Sequence, residues 1–237
     1  EGHALSPKLN SKLDYPYLLL LISGGHSQYL SVKDLGQYKR LGTTIDDAIG
    51  EAFDKTAKLL GIEFPGGPQI EVLAKKGDPN KYNLPKPIFN KGGCNLSFAG
   101  LKTAILKIAK KIKTDQEKFD LAASFQKTVI EILNKKTRIA FAEFEKQTNP
   151  KEKKFVVAGG VAANKDIRNM LVNLCKEENY EPIFPPIELC GDNAAMIAIV
   201  GLEKYKLKQF SNLDHPAKPR WSLDQNASFL KGAGVQL

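Results

Sequence analysis

No stretch of this sequence stays apolar for the roughly 18 to 20 residues that cross a bilayer. The apolar runs are short, such as the one ending at Ile22, so a membrane-spanning helix is not expected. No signal-peptide pattern opens the chain either, and the expected location is the cytoplasm, with an organelle matrix as the alternative. Cysteine is scarce: Cys94, Cys175 and Cys190 are odd in number, far apart and without a C-x-x-C pair. That argues against a disulfide framework and a thiolate zinc site, leaving reduced thiols. The H-E-x-x-H pattern of many zinc peptidases is missing, and histidine itself occurs only as His3, His26 and His215.

What is present is an ordinary globular composition: 237 residues, 42% hydrophobic, enough for one large domain or two small ones with a sizeable core. The formal charge of +9 favours a polyanionic partner such as nucleic acid. The first residue is Glu1 and the chain opens "EGHALSPKLN", which reads as a chain cut from something longer.

Residues 15–33 read as a β-hairpin, with "YLLLLI" and "SQYLSV" as strands and Ser23-Gly24-Gly25-His26 as the turn. A helix is expected from about Thr44 to Leu60, capped by Thr44, with Asp46 and Asp47 in its first turn. Gly61 to Pro68 is too rich in glycine and proline for an element, and a short helix resumes over 69–76. Residues 77–95 read as loop. Helical periodicity returns from about Leu101 to Ile112 and from Glu117 to about Lys146. A second strand (Phe155 to Ala158) is followed by Gly159-Gly160 and a helix from about Asn164. A Pro-rich segment then leads to a helix from about Asp192 to Lys206, and the tail after Phe210 lacks periodicity. These boundaries group the chain into 14–76, a helical insertion over 77–150, a second strand-glycine-helix unit over 151–210, and a tail over 211–237. Strand then Gly-Gly occurs twice, about 135 residues apart, and the mixed order argues for an α/β fold.

A Gly-Gly pair at a strand end lets backbone N–H groups approach a phosphate or carboxylate with no Cβ in the way, although a plain tight turn uses the same residues. Asp47, Glu51 and Asp54 fall on one helical face, either as a solvated stripe relieved by Lys55 and Lys58 or as groups that meet a ligand hydroxyl or amine. His3 and His26 each follow a glycine; either could enter a site, and either could be an ordinary histidine. Asp192 near a helix start is an N-cap or a metal carboxylate. Lys102, Lys107, Lys110, Lys111 and Lys113 form a nucleic-acid face or a solvated one.

Seven motifs in order, "EGHALSP", "LLLLISGGHSQYL", "TIDDAIGEAFDKTAKLLG", "FPGGPQIE", "NLSFAGLKTA", "VVAGGVAANKDIR" and "CGDNAAMIA", closely resemble the TsaD family, the tRNA threonylcarbamoyladenosine transferases once described as sialoglycoprotein endopeptidases. The resemblance runs from Glu1 to about Lys206. It implies an actin/hexokinase/Hsp70-like (ASKHA) fold, of which this chain holds the C-terminal lobe and a helical insertion, the N-terminal lobe being largely missing. Carried over by motif, the substrate-contacting positions are Leu21, Ile22, Ser23, Gly24, Gly25, Asp54, Gly67 and Asn164. The family's metal, iron first and zinc second, is held by a His-x-x-x-His pair and a distant aspartate. Here His3 matches the second histidine and Asp192 the aspartate, while the first histidine has no counterpart.

The implied reaction moves threonylcarbamoyl from threonylcarbamoyl-AMP to N6 of the adenosine beside the anticodon, in tRNAs reading codons that begin with A. The implied ligands are that adenylate or ATP/AMP. The implied partners are tRNA, a TsaB-like degenerate paralogue and a TsaE-like ATPase if the source is bacterial, and the missing lobe. Two rival readings are a noncatalytic lobe that binds nucleotide or partner without turnover, and a metalloprotease, which the absent H-E-x-x-H disfavours.

Overall fold

A computed structural model describes residues 1–214, 216, 218 and 221–227; His215 lies outside them. Its frame is one five-stranded mixed sheet, built from β1 (Tyr17–Ile22), β2 (Ser27–Asp34), β3 (Gln37–Thr43), β4 (Lys154–Ala158) and β5 (Glu181–Ile183) in the order β3-β2-β1-β4-β5. β1 runs antiparallel to β2, and β2 to β3, while β1 with β4 and β4 with β5 run parallel. The continuous apolar run of β1 follows from its central place. Leu18, Leu20 and Ile22 enter the core on one face, and Tyr17, Leu19 and Leu21 enter a second cluster on the other. A strand covered on both faces has no polar side to alternate with.

Seven helices accompany the sheet among the described residues: α1 (Gly2–Leu5), α2 (Ile49–Leu59), α3 (Gly66–Ala74), α4 (Ala99–Ala109), α5 (Asp115–Thr148), α6 (Lys165–Glu178) and α7 (Ala194–Lys206). The long α5 starts at a capping box, Thr114 accepting from the Glu117 amide and the Glu117 carboxylate accepting from the Thr114 amide. Its stripe of Phe125, Val129, Ile132, Leu133, Ala140 and Phe144 is buried, as the 3.6 spacing predicts. Phe125 packs edge-on against Phe53 of α2, with ring centroids 4.9 Å apart. None of the helices among the described residues is long and apolar enough to cross a membrane.

Four local expectations are corrected. β3 was not expected; it is an edge strand whose side chains are largely polar, so its pattern is weak. The helix expected from Thr44 begins at Ile49. Thr44 is instead bridged to Leu96, and its hydroxyl donates to the Asp47 carbonyl at 2.6 Å. Asp46 accepts from the Ser97 hydroxyl and from the Phe98 amide, so its carboxylate secures the start of α4 rather than that of α2. Gly66, Gly67 and Pro68 form the first turn of α3 instead of a loop, a place where the missing proline N–H costs nothing. Finally, α7 is capped by Asn193, which accepts from the Met196 amide at 2.9 Å, and not by Asp192.

The two strand-glycine units become neighbours. Leu18 to Leu21 pair in parallel with Phe155 to Ala158, so Ser23-Gly24-Gly25 and Gly159-Gly160 leave the sheet at the same end. Here Gly159 adopts φ +98°, and a Cβ on it would sit 2.3 Å from the Ile22 carbonyl oxygen. Gly159→Ala is therefore expected to destabilise the protein by about 2–3 kcal/mol, from backbone strain and steric conflict together. Urea unfolding of the variant beside Gly160→Ala, where no such clash exists, measures it.

Candidate functional site

The site grows from that shared strand end. Ser23 and His26 close the β1–β2 turn, the Ser23 amide donating to the His26 carbonyl at 2.8 Å and the His26 amide to Ser23 Oγ at 3.1 Å. The first turn of α2 abuts it, with the Gly50 amide donating to the Ser23 carbonyl and the Ile49 amide to Ser27 Oγ. On the open side lies a cleft of about 980 Å³, lined among others by His3, Ser23, Gly24, Gly25, His26, Gly160, Gly191 and Asp192.

Four of those residues are glycines, a property that matters here because they share one cleft. Gly24, Gly25, Gly160 and Gly191 have no atom within 4 Å of the place a Cβ would take, and none has positive φ. Nothing in the fold itself requires glycine there. A concave wall of backbone without Cβ atoms suits a ligand that must approach N–H groups closely, above all a phosphate.

In the same cleft, His3 Nε2 stands 3.0 Å from Asp192 Oδ1. The His3 side chain is mostly covered, whereas that of Asp192 is 89% exposed. Because Asn193 performs the capping, the Asp192 carboxylate is left for the cleft. His3 Nδ1 is buried with no hydrogen-bond partner. A nitrogen and a carboxylate oxygen are donors that suit iron or zinc. No group of three or more His, Cys, Asp and Glu side chains assembles among the described residues, so the pair by itself does not make a metal site.

What holds His3 against Asp192 is the packing of α1 on α7. Lys8, in the turn after α1, donates to Glu203 of α7 at 2.7 Å, and Lys204 pairs with Glu1 at 2.7 Å. The hydrogen bond from Lys206, and next that from Lys8, hold the Glu203 carboxyl below the usual carboxylate range. Burial lowers the His26 imidazole from its ordinary value, even though part of its surface meets solvent.

The other sequence-derived positions separate. Leu21 and Ile22 are buried within β1 and point into the two cores; they support the turn rather than face the cleft. Asp54 lines a second cavity of about 360 Å³ with Glu51, Lys55, Lys58 and Phe64, and Gly24 borders both cavities. One Asp54 oxygen accepts from the Gly66 amide at 2.9 Å, fixing the start of α3. Lys55 bridges Asp47 and Glu51 at 2.8 and 2.6 Å, so those acids are relieved as a charged stripe would be. Gly67 borders neither cavity. Asn164 is buried and turned inward: its Oδ1 accepts from the Ile167 amide, capping α6, and its Nδ2 donates to Gln126 Oε1. Gly191, Asn193 and Met196 line the main cleft but were not singled out as ligand contacts, although all three lie in the motif "CGDNAAMIA"; Gly160 was read only as part of the second Gly-Gly pair. All three thiols are buried and raised by desolvation, Cys94 to about 11 and Cys175 to about 12, so none is a ready nucleophile.

Fold and site together define an α/β protein whose parallel strands end at a glycine-walled cleft that also holds a histidine–carboxylate pair. A family model described as TsaD, tRNA N6-adenosine threonylcarbamoyltransferase, matches residues 1–199. The chain is 80% identical over 237 residues to a tRNA N6-adenosine threonylcarbamoyltransferase of Pelagibacter ubique (strain HTCC1062), covering 100% of this chain and 66% of the relative. It is 55% identical over 227 residues to the enzyme of that name from Rickettsia rickettsii (strain Sheila Smith), covering 94% of this chain and 66% of the relative. Among solved structures, full-length HypF in a phosphate- and nucleotide-bound form aligns with a TM-score of 0.63 at 14% identity, over 89% of this chain and 36% of that one, a likeness of fold alone and consistent with the ASKHA-like expectation. The chain belongs to the TsaD family. It spans about two-thirds of the length of these curated relatives.

Two outcomes follow for α7. Asn193→Ala is expected to cost about 1 kcal/mol through loss of the cap, while Asp192→Ala, an exposed side chain, changes stability by less than about 0.5 kcal/mol; thermal unfolding of both separates cap from site. The Glu203 carboxyl is lowered in the folded state, so its contribution is present above the unfolded carboxylate pKa and is lost as pH falls through the folded one. Glu203→Gln should therefore be less stable than the parent at pH 7 and converge with it at acid pH, as denaturation across that range will report.

Proposed function

We propose that the protein to which this chain belongs transfers threonylcarbamoyl from threonylcarbamoyl-AMP to N6 of the adenosine beside the anticodon in tRNAs reading codons that begin with A. The observation that carries the reading is the convergence of the Cβ-free wall (Gly24, Gly25, Gly160) with His3 and Asp192 across one cleft. The relatives' names support the coarser part of this reading, since those proteins are named tRNA N6-adenosine threonylcarbamoyltransferases.

N6 of adenine is a poor nucleophile because its lone pair is delocalised into the ring, so most of the barrier must be met by placing an already activated acyl donor. In the proposal, the backbone of the glycine wall holds the adenylate phosphate, whose AMP departs as the N6–carbonyl bond forms. The N6 proton leaves with solvent or with another group of the protein, since no side chain among the described residues is assigned as its base. Ser23 Oγ already accepts from the His26 amide, so the turn is rigid before ligand arrives and its N–H groups need no reorganisation. Asp54, fixed by the Gly66 amide, lies where a ribose hydroxyl could donate to its free oxygen. His26 is a contact for the donor.

The cofactor proposed is one divalent metal, iron before zinc, with His3 and Asp192 as this chain's donors. When bound it would supply positive charge to oxygens of the donor. The remaining donors would come from the rest of the protein, from ligand phosphate or from water. A TsaB-like paralogue and a TsaE-like ATPase are proposed as partners, and the cytoplasm as the location. The noncatalytic alternative predicts nucleotide binding without turnover.

In the full-length protein, His3→Ala and Asp192→Ala should each lower bound metal and reduce transfer to tRNA at least about 100-fold, with adenylate binding largely retained. Metal analysis and a tRNA nucleoside assay read the two effects. Transfer undiminished in both variants would refute the assignment of the pair, and adenylate binding with no transfer by the parent protein would favour the noncatalytic reading.

A further inference from the structure

The positive charge of this chain is not spread over it. Residues 75–136 carry fourteen lysines and five acids, a net +9 that equals the charge of the whole chain, and elsewhere basic and acidic residues balance at twenty-one each. Between Pro79 and Thr114 there are eight lysines and no acid at all. A cluster left uncompensated in this way focuses potential over one surface.

The structure shows where that surface lies and why it stays open. Leu101 and Ile105 turn the apolar side of α4 into the core, where it packs on α2, and Thr103, Lys107 and Lys110 form the outward ridge at i, i+4 and i+7, with Lys111 and Lys113 following. No acid among the described residues lies within salt-bridge distance of Lys91, Lys107, Lys110, Lys111 or Lys113, and all five are exposed. The acids that follow are already engaged: Asp115 with Lys118, and Glu117 with the amides of Lys113 and Thr114. Lys91 joins the same surface, because the loop before α4 lies against it. Pro87 Cγ is 3.2 Å from where a Cβ on Gly100 would be, and buried Lys136 pins the turn by donating to the Lys91 and Gly93 carbonyls.

This surface is also rigidly joined to the cleft. The Leu96 amide donates to the Thr43 carbonyl at 3.0 Å, Asp46 holds Ser97 and Phe98, and the same 44–48 segment leads into the first turn of α2, which abuts Ser23.

We infer that the α4 ridge, Lys107, Lys110 and Lys111 with Lys91 and Lys113, is a docking surface for the phosphate backbone of RNA, and that it positions tRNA for the cleft. The inference rests on the transfer reading above. All the cations are lysines, point charges that grip phosphates without reading bases, as suits a protein that must accept several tRNAs. A membrane is the poorer fit because the apolar side of α4 is spent on the core, and only Leu106, 37% exposed, breaks the ridge.

The test uses the full-length protein, fluorescently labelled tRNA and salt titrations. Lys107→Gln, Lys110→Gln, Lys111→Gln in one protein should weaken tRNA binding about 10-fold to 100-fold at low salt and flatten the slope of log affinity against log salt by about 2 to 3. The threonylcarbamoyl-AMP affinity and the melting temperature stay as in the parent. A control triple that removes the same charge elsewhere, Lys33→Gln, Lys39→Gln, Lys151→Gln, should leave affinity and slope nearly unchanged. Unaltered affinity and slope in the folded α4 triple would overturn the inference, as would loss of an acidic protein partner with tRNA binding intact. If the parent binds tRNA through this ridge yet transfers nothing, the transfer reading fails and the docking surface stands. If the parent transfers and the triple matches it in tRNA affinity and KM, only the docking surface fails.

Discussion

Everything at the site depends on four residues of β1 lying parallel to four of β4. Leu18 to Leu21 and Phe155 to Ala158 are separated by some 135 residues, and their pairing carries the entropic cost of closing that long connection. The burial of both strands on two faces offsets it. Once they pair in parallel, their following turns must emerge at one end of the sheet. That end of adjacent parallel strands is where α/β folds leave a crevice. The close contact of Gly159 with the Ile22 carbonyl marks how tightly the two chains leave the sheet together.

Around this frame, charged groups do two distinct kinds of work. Partly covered pairs act over one contact and set geometry: Lys8 with Glu203 seats α1 on α7, Asp46 fastens the start of α4, and Asp54 starts α3. Such links are specific because a carboxylate oxygen that accepts an amide hydrogen tolerates little displacement. The exposed lysines of α4 act differently. They have no local partner, and their combined field reaches about a Debye length, roughly 8 Å at physiological salt, so it guides a polyanion without fixing any atom. On the proposed reading, placement falls to the cleft and capture to the basic ridge, which needs only charge.

Glycine is divided in the same manner. Gly159 is required by its own backbone, with positive φ and a carbonyl where a side chain would be. Gly24, Gly25, Gly160 and Gly191 are required by nothing inside the fold. That second set is the more informative about function, because internal packing does not account for it.

Much of this was legible in the residues. The apolar run of β1, the Gly-Gly turns and the 3.6 spacing of α5 are local patterns with one physical reading each, and they appear in the structure where expected. Asp192 and Asn193 show the limit. Both are good capping residues at adjacent positions, and only the direction in which α7 packs on α1 decides that Asn193 caps while Asp192 meets His3, 189 residues away in sequence. Asn164 and Asp46 are similar: a polar side chain in a motif does not say whether it faces a cleft or ties two elements together. The sequence by itself determined β1, β2 and β4, the approximate course of the longer helices, the family and the total charge, because propensity, periodicity and composition are local or additive. Which glycines are open to a ligand, which acids are engaged and which lysines stand unpaired was decided by the tertiary structure alone, because each is a statement about neighbours that the chain brings together only on folding.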